Sequence, residues 1–123
     1  MVTDENVAVD GLAIIEKYEA FVFYLYPILQ RCPRQHGVLR DVVIAALFAP
    51  IGALHHASKS RQVSRLHAVD AGFATLRSHL RFLVRASIKV VTPHQHRAAL
   101  ALLAEPGAML GAWQRKLGGR TGK

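Results

Sequence analysis

The chain has 123 residues, 51% of them hydrophobic, with 16 Lys and Arg against 8 Asp and Glu and a net charge of +8. That length is one domain with enough chain for a real core, and the apolar content excludes a disordered chain. One cysteine excludes an internal disulfide and suits a reducing compartment without requiring one. The charge is unevenly placed. Asp4, Glu5, Asp10, Glu16 and Glu19 all fall in the first 19 residues, so residues 20–123 hold 15 basic and 3 acidic groups, a net of +12. Such a field attracts nucleic acid, anionic lipid or an acidic protein; a solubilising surface is the plain alternative. The acidic, polar N-terminal ten residues do not read as a secretory signal. The longest uninterrupted apolar run, 42–54, is 13 residues, short of the ~20 that a membrane span needs. The expectation is a soluble, cytoplasmic protein with no membrane partner.

Thr3 and Asp10 are both capping types near the first helix start. From Leu12 that helix is clear in Ile14, Ile15, Tyr18, Phe21, Val22, Leu25 and Leu29. Residues 20–29 are apolar on every side, which implies cover on more than one face and suggests packed subunits. Pro27 should bend the helix, and Arg31-Cys32-Pro33-Arg34 breaks it. The second helix follows, with Val38, Val42, Val43, Leu47, Phe48, Ile51 and Leu54 as its apolar positions, fraying into 55–59.

The third helix is predicted over 60–91, capped by Ser60. Leu66, Val69, Phe73, Leu76, Leu80, Leu83, Ser87 and Val90 form a seam at steps of three and four. Arg77, Arg81, Arg85 and Lys89 follow at four-residue steps as a cationic ridge. Thr92-Pro93-His94-Gln95 has the pattern of a capping box opening the fourth helix. Ala99, Leu100, Leu103, Leu110 and Trp113 mark its apolar side. Pro106-Gly107 is expected to kink or split it, and the basic, glycine-rich tail from Gln114 to be disordered. The domain is drawn as 1–116, with 117–123 a flexible basic tail. Four helices with short connections and no alternating pattern predict an all-α, antiparallel up-down four-helix bundle.

Chemistry-bearing residues point to binding rather than catalysis. Arginine's planar fork suits phosphate, and up-down topology sets Arg31, Arg34, Arg85, Lys89 and Arg97 at one end of the bundle. No exposed aromatics are interleaved with the ridge, which favours backbone contact over base stacking. His55-His56 and His94-x-His96 lack the carboxylates of a bundle metal site, so no metal or cofactor is expected. Cys32 has only His36 near it in sequence as a base, and a packed thiol is the expected reading. No phosphate loop, nucleophile elbow or paired carboxylate is present, so no enzyme activity is expected. Trp113 reads as a core or interface anchor, and Gly107 and Gly111 as a weak signal for close helix approach.

Three motifs carry a family resemblance over roughly residues 12–116. They are Leu25-Tyr26-Pro27 with Arg31-Cys32-Pro33-Arg34; Leu76-Arg77 with Leu80-Arg81-Phe82-Leu83-Val84-Arg85-Ala86; and Glu105-x-Gly107 with Met109-Leu110-Gly111-Ala112-Trp113. In order and spacing they resemble the accessory variability determinant proteins of diversity-generating retroelements. These are relatives of four-helix proteins encoded by intervening sequences in bacterial ribosomal RNA genes. Cys32 stands where that family has an aromatic, Gly37 where it has a bulkier residue, and Pro106 enters the last helix. The resemblance implies a pentameric, basic barrel that binds RNA or DNA, associates with a reverse transcriptase, and serves mutagenic copying of template RNA into cDNA. Carried onto this chain, it assigns nucleic-acid binding to Arg31, Arg34, Arg77, Arg81 and Arg85; the ridge adds Lys89. Two other readings stand beside it: a basic helical protein-interaction scaffold, and an intervening-sequence-type RNA-binding protein outside a retroelement.

Overall fold

The structure is a computed structural model that describes the backbone of residues 4–121 and the side chains of residues 11–118. It contains α1 (Asp4–Gln30), a short 3-10 turn (Arg34–His36), α2 (Gly37–Ser60), α3 (Val63–Leu83) and α4 (Pro93–Thr121), and no strand among the described residues. Each helix packs on its two neighbours in a closed square: α1 on α2 and α4, α3 on α2 and α4. The connections are short, so successive helices run antiparallel, and the predicted four-helix bundle is the observed fold.

Helical periodicity explains the core. The α1 positions Ile14, Ile15, Tyr18, Phe21, Val22, Leu25 and Leu29 are all buried, as are Leu66, Val69, Phe73, Leu76, Leu80 and Leu83 of α3. Tyr18 stacks on Phe73 across the diagonal, with ring centroids 5.2 Å apart, and its hydroxyl donates to the Leu47 carbonyl at 2.7 Å. Full burial of each such side chain contributes about 1.5–3 kcal/mol. Truncating one in mid-bundle, such as Leu76→Ala, costs about 2–5 kcal/mol.

Several boundaries differ from the sequence reading. α2 does not fray at 55–59 but runs to Ser60, where Arg61 takes a left-handed φ of 56° and donates its N–H to the Ala57 carbonyl. Ser60 therefore closes α2 rather than capping α3, whose N-cap is the extended Gln62. α3 ends at Leu83, not Val91. α4 passes unbroken through Pro106, because the apolar side on both flanks of the proline (Ala99, Leu103, Leu110, Trp113) is buried and outweighs one missing hydrogen bond. The tail expected from Gln114 is helical as far as Thr121, with Leu117 buried against the core. Thr3 lies outside the described residues; Asp10 is inside α1, not at its cap. The close helix approach is not at Gly107 or Gly111. A Cβ on Gly107 would meet nothing within 4 Å, and one on Gly111 only Arg115 of its own helix. The tight point is Gly11, where α1 meets Ser58 of α2 and Trp113 of α4.

Candidate nucleic-acid interface

One end of the bundle gathers the end of α1, the 3-10 turn, the start of α2, the end of α3, residues 84–92, and the start of α4. Arg31, Arg34, Arg40, Arg81, Arg85, Lys89 and Arg97 all belong to these stretches. The carboxylate among them is Asp41, already paired with Arg40 (Nε–Oδ1 3.0 Å). The opposite end differs. There the bases Lys59, Arg61, Arg65, Arg115 and Lys116 share the end with the first turns of α1, whose sequence carries Asp4, Glu5 and Asp10, so the cation excess is smaller. The fold thus leaves the larger cation excess at one end, and the low ordinary worth of exposed pairing makes that excess available to a polyanion.

The ridge is rearranged by the end of α3. Only Arg77 and Arg81 lie on the helix, a turn apart. Arg85 and Lys89 sit in the segment that follows it and cannot extend a helical ladder. The reason is local and tertiary together. Ile88, Val90 and Val91 are β-branched and poor helix formers. The chain turns at 85–88, Lys89 adopts a left-handed φ of 56°, and the N–H groups of Val90 and Val91 both donate to the Leu83 carbonyl at 3.1 and 3.2 Å. That return buries Val90 and Val91, while Ser87 is exposed and drops out of the seam. The predicted capping box then opens α4: the Gln95 N–H donates to Thr92 Oγ1 and the Thr92 N–H to Gln95 Oε1, both at 3.0 Å.

The predicted residues divide as follows. Arg31, Arg34, Arg81, Arg85 and Lys89 are exposed at the cationic end; Arg81 donates to Ser78 Oγ at 2.9 Å. Arg77 is half-buried and a turn further from that end. Arg97, exposed in the first turns of α4, shares the end as the up-down topology requires.

The flank of the bundle carries a second feature. The apolar positions read on the second helix face two ways. Val43, Leu47 and Leu54 enter the core, whereas Val38 (82% exposed), Val42 (51%) and Phe48 (44%) face outward. Phe23 of α1, 77% exposed, stands beside them. Glu19, Val22, Phe23, Tyr26, Pro27, Phe48 and Ile51 line a cleft of about 250 Å3 between α1 and α2, with Tyr26 edge-on to Phe48 (centroids 5.6 Å). By length and composition residues 34–60 are apolar enough to cross a membrane. The criterion of an uninterrupted apolar run passes over this, because Asp41 and His55 bound the run at 13 residues without making the outward side polar. An apolar patch of this kind marks a contact surface.

The remaining candidates have modest geometry. Cys32 is half-buried, and its Sγ lies 3.5 Å from the Pro33 carbonyl and 3.7 Å from that of His36. The His36 ring instead meets the Gln35 amide at 3.4 Å. His67 Nδ1 lies 3.4 Å from Gln114 Nε2. Among the described residues no three His, Cys, Asp or Glu are grouped to hold a metal. Trp113 is buried in the core, with its Nε1 unpartnered.

No curated protein matches the chain. The family model described as bAvd-like matches residues 12–117. That span takes in the arginines after α1, Arg77 and Arg81 of α3 and the tryptophan of α4. The chain therefore belongs to the accessory variability determinant family of diversity-generating retroelements, a family of accessory rather than catalytic proteins.

Proposed function

We propose that this chain is a non-enzymatic, oligomeric nucleic-acid-binding accessory factor. It acts beside the retroelement's reverse transcriptase on template RNA during mutagenic cDNA synthesis. The observation that carries the reading is the cationic end, where Arg31, Arg34, Arg81, Arg85, Lys89 and Arg97 converge around one carboxylate that is already paired. Phosphate contact by such a surface needs no sequence readout, and its affinity falls steeply with salt. Cytoplasmic location suits such a role. The outward apolar face of α1 and α2 supports self-association: its inner side is committed to the core, so a second copy covers what a single chain exposes. We read it as a subunit face and not a membrane span on the same ground. Five copies, the number the resemblance implies, would carry about five times the single chain's +8.

The test is a gel-shift titration of RNA and single-stranded DNA against salt. Arg81→Glu and Arg85→Glu, both at exposed positions, should each weaken binding by about tenfold or more, with the helical fold retained. The salt slope should flatten by about one or more for each phosphate the variant no longer meets. If both charge reversals leave affinity and slope unchanged, the cationic end is not the binding surface. Co-purification with the neighbouring reverse transcriptase tests the partner. The scaffold alternative, which also draws on the apolar flank, would instead show no nucleic-acid shift and capture only an acidic protein.

A further inference from the structure

The segment joining α3 to α4 borders a half-open cavity of about 440 Å3, lined by Val84, Ala86, Lys89, Val91, Thr92 and Pro93. This is within the ~300–1,000 Å3 of small-ligand pockets. Val91, 1% exposed, and the half-buried Val84 make an apolar floor; Ala86, Lys89, Thr92 and Pro93 are exposed at the rim. Donors stand on that rim. The Lys89 ammonium is one. The Thr92 oxygen already accepts from Gln95, so its own hydrogen remains to give. The Ala86 N–H has no acceptor among the described residues. Arg85 is exposed next to Ala86 in the chain.

An apolar floor with a few donors and a cationic lip is the chemistry of a nucleobase joined to its phosphates. The flat ring lies on the apolar floor and takes up part of the cavity, its carbonyl oxygens accept from Thr92 and Ala86, and the flanking phosphates meet Lys89 and Arg85. We infer that this cavity seats one unstacked base of a single-stranded nucleic acid. This rests on the nucleic-acid reading above and deepens it. Phe82, 43% exposed between Arg81 and Arg85, offers the arginine surface an aromatic face outside the cavity lining, so Phe82→Ala should leave the cavity's preference for a base in place. A duplex has no free base to offer without the few kcal/mol of flipping, so the site selects single strands.

The probe is a short fluorescein-labelled oligothymidylate, compared by anisotropy with a strand of equal length whose sugars are abasic. Both carry the same phosphates. The full chain should bind the thymidine strand about five- to tenfold more tightly, the lower part of the range for a seated base. Ala86→Phe, at an exposed position, obstructs the cavity; it should lower thymidine binding toward the abasic level and leave abasic binding and its salt slope unchanged. Equal wild-type affinity for the two strands, both bound well, overturns the cavity proposal and leaves the phosphate surface standing. Failure to bind either strand at low salt overturns both. If the Ala86→Phe chain misfolds, the same two strands on Phe82→Ala decide: a retained thymidine preference supports the cavity, and a lost one places the base contact on Phe82 and overturns it.

Discussion

Gly11→Ala gives the sharpest test of how the helices pack, because two effects of known size oppose each other. Helix propensity favours alanine over glycine within a helix by about 0.5–1 kcal/mol, so sequence reasoning predicts a more stable protein. The packing reverses the sign. A Cβ on Gly11 would lie 2.8 Å from Ser58 Oγ, 3.0 Å from Ser58 Cβ and 3.2 Å from Trp113 Cη2, all inside the ~3.5–4.0 Å of an unstrained carbon contact. The Ser58 hydroxyl can rotate away. Its Cβ cannot, and Trp113, 1% exposed, has no room to swing. Overpacking at such a site costs about 1–3 kcal/mol. Set against the propensity gain, the net is a loss of up to about 2.5 kcal/mol, and about 1 kcal/mol at mid-range.

In a domain of this size each kcal/mol moves the melting temperature by about 3–5 °C. Gly11→Ala should therefore melt lower by about 3–5 °C at mid-range and by at most about 12 °C, measured at fixed protein concentration because the proposed self-association would make Tm concentration-dependent. Ser58→Gly removes both serine atoms that the new Cβ would meet, so adding Gly11→Ala in that background should cost less than in the wild type. That difference is the coupling of a double-mutant cycle. A rise in Tm for Gly11→Ala alone would refute the close approach of α1, α2 and α4.

Tyr18→Phe loses the bond to the Leu47 carbonyl and should cost about 1 kcal/mol in urea unfolding. Burial pushes the Tyr18 phenol well above its ordinary range, so stability should hold level to about pH 10 and fall as pH rises beyond it; the alkaline loss should shrink in Tyr18→Phe. Phe23→Ser, at a position 77% exposed, should leave the bundle folded but lower the mass of the assembly in sedimentation; an unchanged mass excludes that face as the subunit contact. Lys89→Gly relieves a left-handed backbone and should raise stability by about 1 kcal/mol, while weakening nucleic-acid binding in the same preparation.

Much of the bundle was legible because helical spacing is set by local geometry. The α1 and α3 core positions repeat at three and four, and every one of them except Ser87 is buried. The cationic end was legible too, since it follows from the order of breaks and not from side-chain detail. The end of α3 was not. The seam and the arginine spacing both continue past Leu83, and what stops the helix is the gain from burying Val90 and Val91, a tertiary term no local pattern contains. The outward side of α2 was hidden for a related reason: a helix apolar on every side does not say which side meets its own chain. Gly11 gave no signal, because its neighbours are far away in sequence. Pro106 misled, because a proline's local cost was weighed without the burial on both sides of it.

The two surface features constrain each other. The apolar face runs along the side of α1 and α2, whereas the unbalanced cations lie at one end. Copies joined along their sides in a closed ring would set their cationic ends next to one another. Copies joined end to end would press that end against the opposite one, which also carries more bases than acids, and would cover it from a polyanion. Like charges side by side repel, so the ring forms only if apolar cover along the flank exceeds that repulsion, and high salt should favour it. Under the proposed reading, Phe23→Ser then weakens nucleic-acid binding without removing a charge. One strand that met several cationic ends at once meets only one, and the salt slope per bound strand falls with the number of copies. A variant that dissociates the assembly yet keeps the full slope would show that each chain binds alone.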